Sequence, residues 1–180
     1  MIITVITGSP HANGTSALLA DRFIAGAIEA GHDVNRFDAA FSKVAPCLGC
    51  DHCRADESKF VCVHKDDMQQ LNPHLLEADL LVFVTPLYYF GMSAQLKIVI
   101  DRFYANNSKL QGGKETILLA TAADDDEDSM QALVAHYLTM IEYMQWIDMG
   151  TLLALGVAVR DDIEASDFPE QAYKMGINIV

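Results

Sequence analysis

Cys47, Cys50 and Cys53 are each separated by two residues, and Cys62 follows after eight more. Three thiolates at that spacing can wrap one iron–sulfur cluster, with a fourth ligand arriving from nearby. Zinc fits less well, because structural zinc sites usually present two separated pairs. A disulfide framework is not expected of a cytosolic chain, and reduced or redox-active thiols remain the alternative to a cluster.

Two further segments carry chemistry. Gly8 is followed by Ser9-Pro10-His11-Ala12-Asn13-Gly14-Thr15-Ser16, a loop of turn formers that ends where helical periodicity begins. A helix N-terminus exposes backbone N–H groups and the positive end of the macrodipole, and hydroxyls there add donors. Ser9, Asn13, Thr15 and Ser16 are the expected donors, with His11 over the loop. The Walker pattern would need a Gly-Lys-Ser/Thr run, and the dinucleotide fingerprint would need G-x-G-x-x-G; neither is present. An anion held by neutral donors suits a phosphate monoester, although Thr15 or Ser16 could simply cap the helix. The second segment is Thr85-Pro86-Leu87-Tyr88-Tyr89-Phe90-Gly91, directly after Leu80-Leu81-Val82-Phe83-Val84. Three consecutive aromatics leaving a buried strand suit a flat, conjugated ligand in the crevice at the carboxyl edge of a sheet.

These segments need a scaffold of alternating strands and helices. Ile2–Thr7, Val34–Phe37, Leu80–Val84, Thr116–Thr121 and Leu152–Val159 read as strands. Helices are expected from the loop to Gly31, from Asp66 and Asp67 to Ala78 across Pro73, and from Ser93 to about Tyr104. Two more are expected at Met130–Trp146 and from Ser166 to about Met175. Nearly all-apolar strands separated by helices predict a parallel sheet covered on both faces, in one domain over residues 1–180.

Composition narrows the function. Hydrophobic residues make up 51% and charged residues 21%, which is globular. With 25 acidic against 12 basic side chains the net charge is −13, which disfavours nucleic acid and anionic membrane surfaces. No run of eighteen apolar residues and no signal peptide is read, so a cytoplasmic location is expected. Lys97 and Asp101 have the spacing of a helical ion pair. The acidic run Asp124–Asp128 reads as a solvated helix entrance rather than a cation site. His52, His64, His74 and His136 show no metal-ligand spacing. Met140, Met144, Trp146 and Met149 suggest an apolar face for a homodimer or larger assembly.

Together these pieces resemble the flavodoxin-like superfamily, and within it the NAD(P)H-dependent FMN reductase and iron–sulfur flavoprotein group. The resemblance rests on Gly8-Ser9-Pro10 with Asn13-Gly14-Thr15-Ser16, on Pro46-Cys47-Leu48-Gly49-Cys50-Asp51-His52-Cys53 and on Cys62-Val63 with Lys65-Asp66-Asp67-Met68. It also rests on Thr85 to Ser93 and on Leu96-Lys97 with Ile100-Asp101-Arg102. It implies a three-layer α/β/α sandwich with a five-stranded parallel sheet in the order 2-1-3-4-5. It implies FMN at the carboxyl edge, its phosphate wrapped by Ser9, His11, Asn13, Thr15 and Ser16. Pro86, Leu87, Tyr88, Tyr89, Phe90 and Gly91 would line the isoalloxazine, and Thr121, Ala122 and Ala123 would close its far side. The implied activity is hydride transfer from NAD(P)H through FMN to a small acceptor such as a flavin or quinone, with no catalytic side chain named. The alternative is an electron carrier served by a redox protein partner, with Cys47, Cys50, Cys53 and Cys62 holding a [4Fe–4S] cluster. The gap before Cys62, which holds Lys59-Phe60, is longer than that family's usual spacing.

Overall fold

The computed structural model describes residues 1–55 and 62–180. β1 (Ile2–Thr7), β2 (Asp33–Asp38), β3 (Leu80–Tyr88), β5 (Glu115–Thr121) and β6 (Ile147–Ala154) form a parallel sheet in the order β2-β1-β3-β5-β6. A short β4 (Gly91–Met92) folds back antiparallel on the end of β3. Leaving β4 aside, the order is the one expected from the sequence. The three central strands are almost wholly buried, as their continuous apolar runs require.

Helices cover both faces. α1 (Thr15–Glu29) and α7 (Phe168–Ile177) pack on one, over Val5, Val82 and Leu119. α2 (Met68–Glu77), α3 (Ala94–Asp101) and α5 (Gln131–Met144) pack on the other, over Ile6, Phe83 and Leu118. α4 (Asn107–Leu110) follows α3 through a 3₁₀ turn, and α6 (Arg160–Glu164) precedes α7. α1 and α7 meet at two glycines. A Cβ on Gly26 would lie 2.2 Å from the Tyr173 carbonyl oxygen, and one on Gly176 would lie 2.1 Å from that of Phe23.

Some expectations move. The last strand was expected at Leu152–Val159 but runs from Ile147 to Ala154. It is an edge strand with an exposed first half, so Asp148, Met149 and Gly150 hide it from an apolar-run reading. Gly156, with φ +67°, turns the chain away after it. α3 ends three residues before Tyr104, the closing helix is α7, and α6 is an additional short helix before it. Asp67 makes no side-chain cap to α2; Asp66 instead accepts from the Met68 N–H at 3.2 Å. Met144 and Trp146 do not form an outer face. Both are buried, and the Trp146 ring stacks on Phe83 at 6.4 Å while its Nε1 donates to the Leu110 carbonyl. Met149 is exposed and Met140 half-buried. Among the described residues no helix is long and apolar enough to cross a membrane.

Candidate functional site

β1 leads to α1 on one face of the sheet, and its neighbour β3 leads to α3 on the other. Chains that diverge in this way open a crevice at the carboxyl edge. The two mouths are tied at their base. The Gly8 N–H donates to the Val84 carbonyl at 2.8 Å, and Ser93 Oγ donates to the Gly8 carbonyl at 2.7 Å. Ser93 also caps α3 by accepting from the Leu96 N–H, and its own N–H donates to Thr85 Oγ1 at 3.0 Å.

Above Gly8 the loop from Ser9 to Gly14 curls over itself. The His11 N–H donates to Ser9 Oγ at 3.2 Å, and the Gly14 N–H to the His11 carbonyl at 3.1 Å. Gly14 is the N-cap of α1 and has no side chain to offer. The N–H groups of Thr15, Ser16 and Ala17 therefore have no partner within the helix and are available to an anion. Neither Thr15 nor Ser16 caps the helix. Both turn to Thr121 at the end of β5, with Oγ–Oγ1 distances of 3.2 and 2.8 Å for Thr15 and Ser16 respectively.

On the opposite wall, β3 continues past Val84 through Pro86 to Tyr88. Pro86 lies beyond the end of β1, which stops opposite Val84, so its missing N–H breaks no ladder bond. Tyr89 and Phe90 then turn the chain with φ of +46° and +64°. Two successive left-handed residues make a tight hairpin turn whose twist matches the flanking strands.

The two walls enclose a cleft of about 660 Å³, within the range of about 300–1,000 Å³ usual for small-molecule sites. Of the candidate residues, Ser9, His11, Asn13, Thr15, Pro86, Leu87, Tyr88, Thr121 and Ala123 line it. Ser16 and Ala122 are buried behind the lining. Tyr89, Phe90 and Gly91 do not line it, because the turn carries them past the rim and leaves Tyr89 fully exposed. The sequence reading missed Phe41, after β2, and Val157 to Arg160, after β6. The misplaced last strand concealed the second group. Gly156 was the signal that could have marked where that strand stops. Arg160 stands at the rim of the loop from Ser9 to Gly14, its Nε paired with Glu164 at 2.6 Å and its Nη1 3.5 Å from the Asn13 carbonyl oxygen.

All four cysteines border one small cavity, together with His64, Asp101, Arg102 and Tyr104. The loop bearing three of them folds back through left-handed Gly49 and Asp51. Tyr104 OH donates to Asp51 at 2.9 Å and accepts from Arg54 at 2.8 Å, which fastens the loop to the turn after α3. Burial pushes the Cys53 thiol up from its ordinary value, and Cys62, Cys47 and Cys50 add to the rise against an opposing backbone hydrogen bond. Among the described residues no three His, Cys, Asp or Glu side chains gather tightly enough for a single metal ion. A [4Fe–4S] cluster takes four separate thiolates, so this donor set fits it better than zinc. The Lys59-Phe60 stretch lies outside the described residues.

Arg102 is almost fully buried at this cavity. Its Nη1 donates to Asp66 at 2.6 Å and to the Ala45 carbonyl at 2.8 Å, and its Nη2 donates to Asp66 at 3.3 Å. Burial alone would lower the Arg102 pKa, but the Asp66 and Cys62 interactions outweigh it and raise it. Burial would likewise raise Asp66. Its bonds from Arg102, Ala45 and Met68 win and hold it below the usual carboxylate range.

A family model described as NADPH-dependent FMN reductase matches residues 1–160. An iron–sulfur flavoprotein of Archaeoglobus fulgidus is 32% identical over 158 residues, which is 84% of this chain and 67% of the relative. One from Methanocaldococcus jannaschii is 33% identical over 124 residues, 66% of this chain and 60% of the relative. The chain thus spans about two thirds or less of those relatives' length. The solved structure of an NAD(P)H:quinone oxidoreductase from Methanothermobacter marburgensis superposes with a TM-score of 0.76 at 18% identity. That match covers 98% of this chain and 94% of the other.

Proposed function

The chain belongs to the NADPH-dependent FMN reductase family, and from that premise we propose an FMN-dependent oxidoreductase that takes hydride from NADH or NADPH and reduces a small acceptor. The observation that carries this reading is the meeting, in one cleft, of the hydroxyl-rich loop at the start of α1 and the end of β3 from Pro86 to Tyr88. FMN, when bound, supplies the redox chemistry of hydride acceptance and onward electron transfer.

The chain's own residues bind and orient. The α1 N-terminus, with Ser9, Asn13 and Thr15, holds the phosphate monoester, with His11 over the loop and Arg160 adding a charged donor at the rim. Thr121 fixes Thr15 and Ser16 so that the first turn of α1 does not drift. Pro86, Leu87 and Tyr88 hold the conjugated rings from one side, while Ala123 and Val157 shield the other from water. No side chain of the cleft is required as a general acid or base.

The test is reconstitution with FMN followed by anaerobic titration with NADH and NADPH. Bleaching of the yellow absorbance is expected. Failure of both nicotinamides to bleach bound flavin would defeat the reductase reading.

A second reading is favoured by the shared cysteine cavity. Cys47, Cys50, Cys53 and Cys62 would hold a [4Fe–4S] cluster, and the protein would exchange single electrons with a redox partner protein. Iron and sulfide analysis of anaerobically purified protein tests it. The chain is further read as cytoplasmic and as a homodimer or larger assembly, with the exposed Ile147, Met149, Leu138 and Tyr143 supplying apolar surface for pairing. Sedimentation showing only monomer at micromolar protein would remove the assembly.

A further inference from the structure

We propose that Arg102, held by Asp66 at the wall of the four-cysteine cavity, is a fixed positive charge that eases one-electron reduction of a [4Fe–4S] cluster bound there. The proposal rests on the cluster reading above. Its geometry is independent of that reading. Arg102 is 3% exposed, and its Nε is buried with no hydrogen-bond partner among the described residues. The same cavity is bordered by a second buried nitrogen without a partner among the described residues, His64 Nε2. Donors left in this way at a cavity wall are suited to acceptors that arrive with a ligand. Arg102 also interacts with Cys62, the ligand most distant in sequence from the other three.

The electrostatics follow from the charges. Four thiolates make the site anionic, and one added electron makes it more negative by one unit with no bond made or broken. A guanidinium stays protonated in proteins, so its charge is present in both states. A buried cation therefore favours the reduced state, because nearby charges interact more strongly away from water. Cluster potentials respond to net charge, to hydrogen bonds at sulfur and to solvent exposure. Asp66 opposes Arg102 and tempers its field, and Asp51 and Asp101 also border the cavity. Arg102 borders the same cavity as the four cysteines and is not itself a ligand, so it is a positioning residue.

A purely structural Arg102 would tie Ala45 and Asp66 together and do nothing more. The two roles separate by the sign of the shift. In the anaerobically reconstituted full chain, iron and sulfide are counted and the midpoint potential is measured by dithionite titration with electron paramagnetic resonance. R102Q is expected to lower the equilibrium constant for reduction at least tenfold, about 59 mV for one electron. R102K is expected to restore much of it. D66N is expected to shift the potential the opposite way, because it leaves the guanidinium charge uncompensated while keeping the side-chain shape. Should R102Q fail to fold or to take up iron, the D66N and R102K potentials decide on their own, with an unshifted D66N counting against the proposal. Equal potentials in all variants at full cluster content, or shifts of one sign for R102Q and D66N, overturn the inference alone. Wild-type protein that binds FMN but no iron removes the cluster reading, and this inference with it.

Discussion

Alanine at Gly8 should damage fold and cleft together. A Cβ there would stand 2.4 Å from Ser93 Oγ and 2.6 Å from Leu96 Cβ. Ordinary carbon contacts lie at about 3.5–4.0 Å, so the start of α3 must retreat by roughly an ångström. That retreat pulls on the Ser93–Gly8 hydrogen bond of 2.7 Å and on the cap that Ser93 provides to Leu96. Overpacking costs about 1–3 kcal/mol, and the lost bond about 1 kcal/mol more. The sum is a destabilisation of roughly 2–4 kcal/mol, or a fall in Tm of roughly 4–16 °C for a chain of this size. Because Gly8 joins the phosphate loop to the base of the aromatic hairpin, FMN affinity should fall at least tenfold as well.

Two companions sharpen the test. S93A loses both the cap and the bond to the Gly8 carbonyl without a clash and should cost about 2 kcal/mol. G8A/S93A should recover only part of the loss, since the Leu96 contact remains. Differential scanning calorimetry and FMN titration read both effects. A G8A protein that melts within about a degree of wild type and binds FMN equally well would refute the packing argument.

The helix crossing gives an independent stability prediction. G176A puts a methyl against the Phe23 carbonyl and should destabilise by about 1–3 kcal/mol without changing FMN affinity in the surviving fold; urea unfolding monitored by circular dichroism checks it. Asp66 gives a pH prediction. Its folded pKa lies below the ordinary value of about 3.9, so its stabilisation is complete above that value and is lost as pH falls through the folded pKa. Acid unfolding of D66N should therefore lose that part of its dependence below about pH 4, and an unchanged acid limb would count against the Asp66–Arg102 pair. R160A should weaken FMN about tenfold while leaving riboflavin nearly unaffected, because only FMN carries the phosphate that a charged donor at the loop rim can hold.

The buried strands were legible because β1, β3 and β5 are continuous β-branched and aliphatic runs, a signal that local sequence carries by itself. β6 was not. An edge strand exposes half its residues, and Asp148 and Gly150 break its apolar run. The loop from Ser9 to Thr15 and the segment from Pro86 to Tyr88 stood out as cleft-lining candidates because turn formers and ring-bearing residues stand together in the chain. The outward path of Tyr89 and Phe90 depends on a backbone turn that neither residue type favours. Phe41 and Arg160 reach the cleft from segments 119 positions apart, and no local pattern records such a meeting. Met144 and Trp146 misled for a related reason, since a large apolar side chain reads alike whether it faces its own core or a partner. Cysteine spacing announced a shared site. Only the tertiary fold shows that Cys62 joins it and that Arg102 stands beside it.

The central claim is that donors at the start of α1 and apolar groups at the end of β3 grip FMN together. Calorimetric titration of the apoprotein with FMN and with riboflavin tests this most directly. One FMN per chain, bound at least tenfold more tightly than riboflavin, is the predicted result. No heat at millimolar FMN, or equal affinity for the two flavins, would contradict it.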